Sequence, residues 1–168
     1  MTVFHPSNWY WVWYNKMLQM NKTTEELYAE VLLWLHGFTS NEDYEALLNE
    51  SFLNDTKNEL LFELEVCSSD LKSTYGRFHR YWNYECPEFD SASFGKRLFA
   101  GLEKVYISNR FSSEAFGKRC NRLWGSLPSE LCTNEPFHTL IYADECLEWQ
   151  NGEVQTRELY EKAFSFYK

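Results

Sequence analysis

The chain is predicted to be all-α, on three observations. Apolar residues recur at three- and four-residue steps along most of its length. Its 7 Gly and 4 Pro are too few for the frequent turns of a sandwich or barrel. Ser, Thr, Asn or Asp precedes most of the periodic stretches, where a helix needs a cap. Eight or nine short helices are expected, in a bundle or an irregular array of helical hairpins, forming one domain over 1–168.

The elements follow in order. Trp9–Tyr14 has strand-like composition, yet Trp9, Trp13, Met17 and Met20 align on one helix face behind Ser7 or Asn8, so a helix is preferred. Thr23 and Glu26 stand at capping-box spacing ahead of Leu27, Val31, Leu32, Trp34 and Leu35, with Gly37 as the stop. Ser40 or Asn41 caps a helix carrying Tyr44, Leu47 and Leu48, and Asp55 caps one carrying Leu60, Leu61 and Leu64. Ser69 or Asp70 opens a helix with Leu71, Tyr75, Phe78 and Trp82 on one face. Asn83–Asp90, which contains Pro87, is the longest expected loop. Further helices are expected over Ser91–Tyr106, Ser112–Leu127 and Glu135–Trp149. After an Asn151-Gly152 turn, a last helix ends near Tyr167. The expected core includes Leu32, Leu35, Leu61, Leu64, Phe94, Leu98, Phe116, Leu123, Leu140 and Leu147.

One internal similarity is visible. Ser93-Phe94-Gly95-Lys96-Arg97 resembles Ala115-Phe116-Gly117-Lys118-Arg119, displaced by 22 residues, and the match continues through Leu98 with Cys120, Leu102 with Trp124 and Val105 with Leu127. That displacement, one helix plus a short turn, predicts two helices built alike and packed as an antiparallel hairpin. Two copies fall short of the three or more that a solenoid needs.

The 168 residues carry a formal charge of -9 and are 18% aromatic, more than core packing alone requires. Residues 1–71 hold 3 basic and 12 acidic side chains, 72–122 hold 10 and 5, and 123–168 hold 3 and 8. The acidic whole disfavours general nucleic-acid binding and docking on an anionic membrane. Cys67, Cys86, Cys120, Cys132 and Cys146 are odd in number and contain no C-x-x-C, so free thiols in a reducing cytoplasm are expected and zinc is not. No Lys or Arg precedes Lys16, and the longest apolar run is Trp9–Tyr14, so neither a secretory leader nor a membrane span is expected.

Three constellations are candidates for function. Lys96, Arg97, Lys118, Arg119 and Arg122 lie on the paired Phe-Gly-Lys-Arg helices and could together receive phosphate or an acidic partner, although no P-loop pattern surrounds them. The plain alternative is a solvated helix face with its own carboxylate partners. His5, His36, His79 and His138 form no metal-binding pair; His79, between Arg77 and Arg80, could serve a phosphate, the commoner alternative being a lone surface histidine. Glu59 and Glu63 share one helix; Tyr142, Asp144, Glu145, Glu148 and Trp149 share another. The second group is a carboxylate surface with aromatic anchors, suited to a cationic protein. No catalytic elbow, cofactor motif or metal cluster is present, and no cofactor is expected.

In size, acidity, aromatic content and lack of catalytic motifs, the chain resembles the small immunity proteins that accompany bacterial antibacterial toxins. The resemblance implies a cytoplasmic, non-enzymatic inhibitor that clasps a basic toxin domain such as a nuclease. The alternatives are a nucleotide- or nucleic-acid-associated protein using the basic segment 72–122, and a small enzyme in which Glu, Asp and His79 are the first suspects.

Overall fold

A computed structural model describes residues 24–85 and 88–168, and among these every regular element is helical. The described helices are α1 (24–35), α2 (Asn41–Asn54), α3 (Glu59–Cys67), α4 (Leu71–Arg80), α5 (Ser91–Ile107), α6 (Ser113–Trp124), α7 (Thr139–Cys146) and α8 (Gly152–Ser165). A π-helical turn, Tyr81–Glu85, continues α4. The all-α expectation is met. The N-terminal helix around Trp9–Tyr14, and Thr23 as a cap, lie outside the described residues.

Helix α1 is the centre of the fold. Every residue from Leu27 to Leu33 is buried. A stretch apolar on every side but that of Glu30 has to be enclosed, and this one is. Tyr28 stacks on Phe78 of α4 at 5.4 Å and meets Phe94 of α5 at 5.6 Å. Gly101 brings α5 so close that a Cβ there would lie 2.4 Å from Leu33 Cδ1. Beyond α1 ends, at Gly37 with φ of 72°, Phe38 meets Phe116 of α6 at 5.5 Å. Phe116 in turn packs on Tyr106 of α5 and Tyr160 of α8, both at 5.1 Å. Much of the aromatic content is therefore core: of the described phenylalanines only Phe62 and Phe166 are exposed. Of the ten expected core residues, Leu35 and Leu147 are half-buried and the rest are buried.

Local chemistry sets most helix starts. Ser40 and Asp43 close a capping box on α2. Asp70, Asp90 and Ser112 cap α4, α5 and α6 through their side chains. Four boundaries differ from expectation. Asn58, not Asp55, caps α3, its Oδ1 accepting the Leu60 N–H, while Asp55 ends α2. The expected Asn83–Asp90 loop begins later, because Asn83 donates to the His79 carbonyl at 2.7 Å and Glu85 pairs with Arg77, holding the π-turn against α4. Helix α6 stops at Trp124, where the Gly125 and Ser126 N–H groups close the last turn. Helix α7 covers only Thr139–Cys146; Leu147, Glu148 and Trp149 follow in tight i→i+3 turns that lead to Asn151 at φ 64°.

The paired Phe-Gly-Lys-Arg helices do not form the expected hairpin. Helix α6 packs chiefly on α7, α7 on α8, and α5 on α8. The two glycines show why. A Cβ on Gly95 would strike the Tyr167 ring at 2.4 Å, and one on Gly117 would lie 2.5 Å from Asp144 Oδ1. Each glycine admits a different neighbour.

Two carboxylates are enclosed on α1. Glu25 accepts the Asp90 N–H at 2.9 Å through one oxygen, and its other oxygen, also buried, has no partner among the described residues. Burial outweighs that hydrogen bond and raises the Glu25 pKa from 4.5 to about 7. A carboxyl raised in this way favours folding while protonated. Its contribution is therefore complete below the unfolded value of 4.5 and is lost as the pH rises through 7. His36 works in the opposite sense: burial, with Arg122 and Arg119 nearby, lowers it from 6.5 to about 4, so its contribution is lost as the pH falls. Glu25→Gln is expected to melt above the wild type at about pH 8, with the gap closing by about pH 4.5. Parallel melting curves at both pH values would contradict this assignment.

Candidate functional site

The C-terminal end of α7, the turn after it and the facing side of α8 carry a pair of exposed aromatic side chains in contact with each other. Tyr142 is 38% exposed and Trp149 51%. Their rings meet edge to face at 5.9 Å, and His138 stacks on the other side of Tyr142 at 6.1 Å. Below the pair lies an open cleft of about 340 Å³, lined also by Cys146, Gln155, Glu158, Leu159 and Lys162. Glu145 and Glu148 are exposed on the same stretch of chain. Buried Thr156 ties α8 to α7 by donating its hydroxyl to the Ala143 carbonyl at 2.8 Å, so both walls belong to one unit.

Asp144 does not share this outward surface. It is half-buried, accepts from Asn121 Nδ2 at 3.3 Å and rests against the α6 backbone at Gly117. The expectation that Asp144 and Glu148 present one helical face fails because α7 ends between them. Tyr142, Glu145, Glu148 and Trp149 remain together at the surface, with Glu158 of α8 added. Nothing in the sequence pattern links Glu158 to this group, since the link is the packing of α8 on α7.

Glu59 and Glu63 are exposed on α3. Glu63 pairs with Arg77 and, at 3.6 Å, with Arg80. Glu59 has no ion pair among the described residues.

The basic residues are dispersed among internal partners. Arg97 pairs with buried Glu30 at 2.7 Å, and Arg119 donates to the His36 carbonyl at 2.9 Å while its guanidinium lies over the Phe111 ring. Lys118 pairs with Glu114 one turn away, and Arg122 donates to the Lys118 carbonyl at 3.4 Å. Lys96 is exposed. The two Phe-Gly-Lys-Arg copies thus act alike. Phe enters the core, Gly admits a neighbour, Arg reaches back to α1 or the residue after it, and Lys faces solvent.

A second cleft, of about 740 Å³, lies between α4 with its π-turn and the segment 125–134. Tyr28, Tyr75, Trp82 and Phe89 wall it, with His79 and Glu130 at its edge and no Lys or Arg among its described lining. That lining does not suit a phosphate. Among the described residues no group of three or more His, Cys, Asp or Glu is placed to hold a metal ion, and no helix is long and apolar enough to cross a membrane. Cys67, Cys120, Cys132 and Cys146 are unpaired, as expected; Cys86 lies outside the described residues.

In comparisons with known proteins, no protein family, no curated protein and no solved structure matched the chain.

Proposed function

We propose that the protein is a non-catalytic, cytoplasmic binding protein that captures and neutralises a cationic protein, in the manner of an immunity protein bound to a basic toxin domain. The single observation that carries this reading is the exposed Tyr142–Trp149 pair over an open cleft, with Glu145, Glu148 and Glu158 around it. Most other aromatic side chains of the described residues are spent on the core, and a Tyr and a Trp in ring contact with each other at the surface call for a partner. Such a pair gives a rigid, amphipathic anchor, and the carboxylates steer a basic surface toward it and sit opposite its Lys and Arg. The internal pairing of Arg97, Arg119 and Lys118 favours this reading over a phosphate-binding one.

Capture with the tagged protein from the cells that encode it, under competing salt, tests the reading. The expected partner is a strongly basic protein whose own activity falls on binding. A partner of acidic or neutral charge, or a basic one whose activity is unchanged in the complex, contradicts it.

A further inference from the structure

Helices α2 and α3 carry a second surface that the reading above does not use. Over 41–67 there are eight carboxylates (Glu42, Asp43, Glu45, Glu50, Asp55, Glu59, Glu63 and Glu65) against one basic residue, Lys57. Of these carboxylates only Glu63 has an ion pair among the described residues. The same two helices expose three large apolar side chains: Leu53 at 80%, Phe62 at 61% and Val66 at 78%. Phe62 and Val66 are one turn apart, with Glu59 and Glu63 beside them at i, i+3, i+4 and i+7 spacing, so all four occupy one stripe of α3. Leu60, Leu61 and Leu64 face the core from the other side of the helix. Helix α3 is therefore apolar on two sides, and only one of them is covered by the described protein.

We infer that this stripe docks a basic amphipathic helix of a partner protein. Exposed Phe and Val in helical register are the pattern an amphipathic helix packs against, and an uncovered apolar face marks an interaction site. The charge decides among occupants. A second copy of this chain would bring another excess of seven negative charges onto the first, a like-charge juxtaposition that opposes pairing, whereas Lys or Arg beside an apolar stripe finds Glu59 and Glu65 with no ion pair among the described residues.

The test uses the full chain and a labelled Leu/Lys amphipathic peptide of about 18 residues, with a twin carrying Glu for Lys. Fluorescence anisotropy is expected to show saturable binding of the Lys peptide and none of the Glu twin. Phe62→Ser with Val66→Ser should weaken binding at least about tenfold, and Glu59→Lys with Glu65→Lys should weaken it and flatten its salt dependence. All four side chains are exposed, and circular dichroism checks that the fold is kept. Trp149→Ala, run in parallel, should leave the peptide affinity unchanged. Four outcomes overturn the inference: equal affinity in the Phe62 and Val66 variant, binding of the Glu twin, a loss confined to Trp149→Ala, or dimerisation of the chain that Phe62→Ser abolishes. A loss confined to Trp149→Ala would move the basic ligand to the Tyr142–Trp149 surface; the other three outcomes leave the reading of that surface untouched.

Discussion

Replacing Arg97 with methionine is expected to destabilise the protein by about 3 kcal/mol, the lower end of what breaking a buried ion pair costs. Glu30, on the central helix, is 2% exposed, and a single oxygen of its carboxylate accepts both Arg97 bonds, Nε at 2.9 Å and Nη2 at 2.7 Å. The other oxygen is buried without a partner among the described residues. Methionine keeps much of the packing volume and leaves the charge uncompensated. Arg97 is itself partly solvated, which places the loss low in the range. Removing both charges, Glu30→Met with Arg97→Met, is expected to recover most of the loss, because a buried pair replaced by apolar groups is often neutral. Urea unfolding of the wild type and the two variants measures it. A single-variant loss below about 1 kcal/mol would show that the pair is not isolated from water.

Phe116→Ala is expected to cost about 3–5 kcal/mol. The ring is 2% exposed and packs on Phe38, Tyr106 and Tyr160, and so joins the chain after α1 to α5, α6 and α8 at one point. Truncation leaves a cavity whose walls belong to four separate segments, and little can collapse into it. Phe62→Ala, on the exposed stripe of α3, is the matched control and is expected to stay within about 0.5 kcal/mol of the wild type. Similar losses at the two positions would mean that the assignment of core and surface rings is wrong.

What could be read from the sequence was what local rules decide. Ser40, Asp70 and Ser112 announce their helices because a capping side chain and the N–H groups it accepts from lie within three residues. Leu61, Leu64, Phe94 and Leu98 are buried as their spacing predicts. The Phe-Gly-Lys-Arg repetition was visible, yet its meaning was not. Gly95 and Gly117 look like breaks in a helix pattern until the neighbours they admit, Tyr167 and Asp144, are known. Arg97 and Glu30 are 67 residues apart, and Arg119 reaches a carbonyl 83 residues away, so the commitment of both cations to the interior has no local signature. The candidate surface was half legible. Tyr142, Glu145, Glu148 and Trp149 are together and exposed, while Asp144 turns inward because α7 is shorter than its apolar pattern suggests. Phe62 and Val66 did carry a signal: both fall off the face that Leu60, Leu61 and Leu64 define.

The central claim is that a cationic partner is held at Tyr142, Trp149 and their carboxylates. Its most direct test is a titration of the captured partner against the wild type, Trp149→Ala, and Glu145→Lys with Glu148→Lys. Affinity is expected to fall by about 2 kcal/mol or more in Trp149→Ala, and the charge-reversal variant is expected to lose its salt-dependent fast association. Unchanged affinity in both, together with loss of the partner in Arg97→Glu with Arg119→Glu at a retained fold, would place the binding surface on the basic helices α5 and α6 and contradict it.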